Sequence, residues 1–143
     1  MRRLASALAR ETSVFLLYAA WAVVVTRPLA FRMATHTLPG PDPLSHLWMV
    51  GWLTGHAFQP GQLFQGNIFF PAPHAALMTD LSLGTAVLVL PFRLFTTEPL
   101  VLFNLATLLA LAFGGWAFQA LVYGLTGHRW AALLGGLFAA FSP

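Results

Sequence analysis

The sequence predicts an all-α membrane protein of about four hydrophobic helices, with a long loop after the first. Three observations carry that prediction. Of the 143 residues, 58% are hydrophobic and only 8% charged, where a water-soluble domain carries about 25% charged residues. So little polar surface cannot cover a globule in water, and a bilayer is the solvent that suits such a chain. Apolar runs recur at lengths near that of a membrane crossing. Between the first two runs lies a proline- and histidine-rich stretch, about fifty residues long, far beyond an ordinary connection.

The first helix is expected over residues 12–27, "TSVFLLYAAWAVVVTR", after the basic opening "MRRLASALARE". A positive stretch before an apolar run also marks secretory signal peptides. Here the exit "RPLAFRMA" is a poor small-residue cleavage site and more apolar runs follow, so a retained helix is expected. Its apolar core is shorter than the ~20 residues of a usual crossing. Arg10 and Arg27 would make up the difference by snorkelling to the two interfaces.

The second helix is expected over 77–95, around "LSLGTAVLVLPFRLF". The third, over 99–124, follows the turn "TTEP" and opens on Pro99, which suits a first helical position. The fourth, over 129–141, follows the turn "TGHR" and is short for a crossing, so the chain is expected to continue past Pro143. The pairs Gly114–Gly115 and Gly135–Gly136 would allow close helix approach. The whole, 1–143, reads as a single transmembrane region.

Arginine bias sets the expected orientation. Arg2, Arg3 and Arg10 precede the first helix, while Arg27 and Arg32 follow it. Alternation across the helices then puts Arg93 with the N-terminus and Arg129 with the loop. Four arginines against three favour a cytoplasmic N-terminus and an extracytoplasmic loop. The seven arginines are scattered, with no lysine and no basic stripe, which argues against nucleic acid as a partner. The absence of cysteine rules out disulfides and thiolate metal sites.

The outer loop, 28–76, is expected to hold a surface helix over about 43–58. Leu44, Trp48, Trp52 and His56 recur every four residues and would share one face. Tryptophan favours headgroup depth. Gly51, Gly55, His46 and His56 argue against a crossing, and an irregular Trp-rich loop is the alternative. In "QPGQLFQGNIFFPAPHAALMTD", 59–80, two breaker clusters flank an apolar patch that would dip toward lipid.

Asp42 in "GPDPLSHLWMVGW" admits two compatible readings. It is an N-cap with Pro43 at the first helical position, lacking a capping box because Ser45 stands where Glu or Gln would. Or it is a carboxylate held at the membrane surface to bind a cation or take a proton from a hydroxyl. Asp80 is a first-turn acid at the mouth of the second helix, or the second member of an acidic pair. Arg32 suits a phosphate or a headgroup anchor, and joins His46 and Trp48 as the candidate substrate contacts. Arg93 and Glu98 flank a turn and read as structural. His36, His46, His56 and His74 show no ligand spacing, so no metal is assigned.

Taken in order, the first helix, "GPDPLSHLWMVGW", "NIFFPAP", "MTDLSLGTAVLVLPF", a helix pair and "GHRWAALLGGLFAAFSP" are familiar. Together they resemble the N-terminal portion of bacterial polytopic glycosyltransferases of the GT-C superfamily. That group includes oligosaccharyltransferase catalytic subunits, protein O-mannosyltransferases and aminoarabinose transferases. The likeness runs from about Thr12 onward and rests on the order of elements more than on any one motif. It implies part of a larger multi-pass bundle in the bacterial inner membrane. It also implies transfer of a sugar from a polyprenyl-phosphate-type lipid donor to an extracytoplasmic acceptor, with the fragment alone inactive.

In that superfamily an acid near the start of the first outer loop serves as general base or metal ligand, and Asp42 is the residue that matches. Pro43 stands where several members have a second acid, so the local motif does not support a divalent metal. Asp80 falls where some members place another acidic or polar residue. The alternative is a non-catalytic multi-pass scaffold or assembly protein, with the glycine pairs as packing sites and Asp42 only a cap. A transporter component ranks third, because no helix carries an acid at mid-membrane depth.

Overall fold

The computed structural model describes residues 2–142, with side chains described from Ala5 onward. The side chains of Arg2 and Arg3, and all of Pro143, lie outside the described residues. Five α-helices occur among the described residues: α1 (Arg2–Val25), α2 (Pro41–Gly55), α3 (Leu83–Val89), α4 (Pro99–Thr126) and α5 (Arg129–Phe141). No strand occurs among the described residues. The chain forms two compact units, one of Met1–Ala30 with Thr107–Pro143, the other of Phe31–Ala106.

Among the described residues, two helices are long and apolar enough to cross a membrane, over Ala5–Val25 and Pro99–Thr126. At about 1.5 Å per residue they measure roughly 32 and 42 Å, against ~30 Å of hydrocarbon. Helix α1 begins at Arg2 rather than Thr12. "RLASALAR" is rich in Ala, Leu and Arg, the strongest helix formers, and nothing breaks it before the apolar run. It stops at Val25, shortly before Pro28, which disfavours helical geometry in the residue preceding it.

In the first unit α1 and α4 run antiparallel. Arg10 lies 5.9 Å from the Tyr123 ring centroid, while five residues along α1 the Phe15 and Phe113 rings are 4.8 Å apart. Tyr18 is fully buried, and its hydroxyl donates to the Leu133 carbonyl of α5 at 3.0 Å. A Cβ on Gly115 would stand 2.6 Å from Tyr18 Cδ1, and one on Gly136 would run into Tyr18 Oη. Gly115 and Gly136 therefore make the closest approaches, both to Tyr18, while a Cβ on Gly135 would press on Val122 Cγ2 of α4 at 3.1 Å. Gly114 faces open space.

The second unit wraps α2 against α3 and the first two turns of α4. Val50, Val89, Leu102, Phe103 and Ala106 form one buried cluster, and Met49, Leu53, Ala76 and Ala86 another. Buried Asn104 on α4 donates through Nδ2 to the carbonyls of Met33 and His36, at 2.8 and 2.7 Å. Those two bonds tie the segment leaving α1 to α4.

Two expectations need correction here. The stretch 77–95 is not one long helix. A 3-10 turn at Ala75–Met78 precedes the seven-residue α3, which tightens into 3-10 geometry over Leu90–Leu94. Pro91 is the cause, since it lacks an N–H and its ring clashes with the carbonyl four residues back. Leu83–Leu94 therefore spans only about 20 Å, too short to cross.

Asp42, in turn, is not the N-cap of α2. Gly40 caps the helix, at φ 113°, a backbone that favours glycine. Pro41 and Asp42 open the first turn, where a carboxylate suits the positive helix end. The helix spans Pro41–Gly55 rather than 43–58.

Gly115→Ala and Gly136→Ala are each expected to lower the thermal unfolding midpoint in detergent, by overpacking worth about 1–3 kcal/mol. Gly114→Ala should leave it unchanged or raise it. Circular dichroism melts of the three variants check this, and equal losses at all three would contradict the Tyr18 contact.

Candidate functional site

The segment after α2 folds back on it. The Ala75 and Ala76 N–H groups donate to the carbonyls of Gln65 and Phe64, at 2.8 and 3.1 Å. Gln65 Oε1 accepts from the His74 N–H at 3.2 Å. From α2, Trp48 Nε1–H donates to Asn67 Oδ1 at 2.9 Å and Trp52 Nε1–H to the Leu63 carbonyl at 3.1 Å. Phe69 and His74 are held at φ 55° and 56°, a conformation that costs a non-glycine residue about 1–3 kcal/mol. Three of the four residues expected to share a face meet, with Trp48 stacked on Trp52 and Trp52 on His56, at 6.0 and 4.0 Å between centroids.

Between α2 and the folded-back segment lies a cleft of about 660 Å³. Ser45 and Trp48 of α2 line one wall, Ile68 and Phe69 another, and Leu77 to Asp80 the third. The lining is divided by polarity. Ser45, Thr79 and Asp80 supply two hydroxyls and a carboxylate, while Phe69, Leu77 and Met78 are exposed apolar side chains of the rim. Phe70, next to the rim, is almost wholly exposed. The Asp80 carboxylate has no ion-pair partner among the described residues. Such a cleft can hold a ligand with one polar and one apolar end, and can accept a proton at Asp80.

Of the candidates from sequence, Asp80 and Trp48 line this cleft. Asp42 is exposed on the first turn of α2 and is not among the lining residues, although its carbonyl accepts from the Ser45 hydroxyl at 2.8 Å. His46 is engaged elsewhere, its Nδ1 lying 2.9 Å from Ser82 Oγ. Arg32 is exposed, with Nη1 3.3 Å from His36 Nε2, and is likewise outside the lining. Ser45 was visible in sequence only as a missing capping-box acid. Its place three residues before Trp48 on one helix is the signal that puts both on the same wall. No three His, Asp or Glu side chains gather to hold a metal ion among the described residues.

No protein-family model, curated protein or solved structure matches the chain.

Asn67→Ala removes the partner of Trp48, a neutral hydrogen bond worth about 1 kcal/mol. Limited proteolysis is expected to cut faster within 66–74 while helix content stays constant. Unchanged cleavage would mean the Trp48 bond does not hold the cleft wall.

Proposed function

We propose that the chain is a membrane-embedded portion of a glycosyltransferase and that it offers the Asp80 cleft to a lipid-linked sugar. The observation that carries this reading is the divided lining, a carboxylate and two hydroxyls beside an apolar rim, in the stretch joining two helices of membrane-crossing length. A polyprenyl-phosphate donor has the same division, a polar head and an apolar tail. The resemblance of the element order to GT-C glycosyltransferases points the same way.

In this reading α1 and α4 cross the bilayer in opposite directions, and Arg27 to Glu98 stay on one side. Arg129 then joins Arg2, Arg3 and Arg10, while Arg93 joins Arg27 and Arg32. The tally is again four against three, which favours a cytoplasmic N-terminus and an extracytoplasmic cleft in the bacterial inner membrane.

Asp80 takes the proton of an acceptor hydroxyl as that oxygen attacks the anomeric carbon. The bond from that carbon to the donor phosphate oxygen breaks, and the phosphate leaves with the electron pair. Proton removal of this kind contributes about 10²–10⁴ in rate. Asp42, the residue singled out by resemblance, is second choice for the base because it lies outside the cleft lining.

A non-catalytic scaffold is favoured by one observation, the exposed stripe of Trp130, Leu134 and Phe138 at four-residue spacing on α5. In a transfer assay with a polyprenyl-phosphate sugar and the full-length protein, Asp80→Asn is expected to lower turnover by about 10²–10⁴, with Asp42→Asn much milder. Normal turnover by Asp80→Asn, with loss of a partner on Phe138→Ala, would favour the scaffold.

A further inference from the structure

Within the second unit the start of α4 seats against α2. A Cβ on Gly51 would stand 2.9 Å from Pro99 Cβ, so the proline lies beside the turns that carry Trp48 and Trp52. Glu98, one residue earlier, is thereby brought to the tryptophan wall. Trp48, Trp52 and His56 of α2 and Glu98 before α4 line a cavity of about 470 Å³, a size usual for small-ligand sites.

Every side-chain donor in this lining is already spent. Trp48 Nε1–H goes to Asn67 and Trp52 Nε1–H to the Leu63 carbonyl. His56 Nδ1 lies 2.9 Å from the Trp52 carbonyl. A carbonyl only accepts, so Nδ1 carries the proton and the neutral ring keeps Nε2 as an acceptor. The Glu98 carboxylate is exposed and has no ion-pair partner among the described residues. What remains is one negative charge beside two indole rings, whose faces are themselves negative.

That set selects its occupant. An anion would meet an unbalanced carboxylate, and a neutral sugar would find no side-chain donor for its oxygens. A bare metal ion would lack ligands, since no three His, Asp or Glu side chains gather among the described residues. A cation clothed in hydrocarbon satisfies both halves, its charge toward the carboxylate and its carbon surface against the rings.

We infer that this cavity binds an organic ammonium group, with the Glu98 carboxylate pairing its charge and Trp48 and Trp52 packing against its carbon surface. Trp48 also lines the Asp80 cleft, but Trp52, His56 and Glu98 do not. The site therefore goes beyond the proposed transfer and does not depend on it.

Titration calorimetry of the chain in maltoside micelles, with empty micelles subtracted, tests this with choline and its neutral analogue. The analogue has the same shape, with carbon in place of the charged nitrogen. Choline is expected to bind about tenfold more tightly. Glu98→Gln, a change at an exposed side chain, should cut that preference to about twofold or less. Trp52→Leu should weaken choline binding, and Asp80→Asn should leave it unchanged. Equal binding of choline and the analogue would reduce the site to an apolar hollow and overturn the assignment. An undiminished preference in Glu98→Gln would overturn it too. Phosphatidylethanolamine added to the micelles displaces choline if the ammonium comes from a lipid headgroup, whereas choline retained beside it assigns the site to a soluble amine. Failure to bind choline with sugar transfer intact would remove this site and leave the proposed function standing. Choline binding without transfer would do the reverse.

Discussion

The phenol of Tyr18 is the point through which the helices of the first unit hold one another. A side chain of that size is fully buried only because α4 and α5 each offer a glycine, Gly115 and Gly136, where any Cβ would collide with it. Its hydroxyl would be costly to bury alone, and the Leu133 carbonyl accepts it. Around this contact α1 and α4 run antiparallel, with Arg10 by Tyr123 and Phe15 by Phe113, and Arg10 and Arg129 line one cavity. Between lipid-facing helices, where apolar burial drives little association, such close small-residue contacts supply the holding force.

The second governing constraint is Pro91. A run as apolar as "LSLGTAVLVLPFRLF" looks like a membrane helix by composition, and hydropathy alone cannot see where the backbone bonding fails. The proline removes one donor and crowds the preceding turn, while the helical turns begin only at Leu83, past Asp80 and Ser82. What remains is a short helix whose buried Ala86 and Val89 face α2 and α4 within the second unit. Where alternation across crossings would separate Arg10 from Arg129, the cavity puts them together.

The all-α class, the long third apolar helix opening on Pro99, the fourth over 129–141 and the tryptophan face of α2 were all legible in sequence. Each rests on local rules of composition, periodicity or proline position. Apolarity does not mark the start of α1, because "RLASALAR" has high helix propensity without it. No side chain marks the cap of α2, because Gly40 does by backbone freedom what Asp42 would do by a side chain. The candidate site was half legible. Asp80 and Trp48 could be singled out as polar or amphipathic residues in an unusual loop. That they share a cleft with Ser45 depends on the fold-back of 59–80, held by bonds such as Ala75 to Gln65 and Trp48 to Asn67, which no local pattern announces.

The placement of the cleft depends on the whole of 27–98 staying on one face of the membrane between two crossings. The chain has no cysteine, so single cysteines can be introduced at Thr35, Thr97 and Thr126, all exposed, and probed with a membrane-impermeant maleimide. Two crossings predict that Cys variants at 35 and 97 react in intact cells and that the variant at 126 reacts only after permeabilisation. If position 97 were shielded while 35 reacted, the segment around α3 would cross the bilayer, and the single-sided loop that carries the cleft would be wrong.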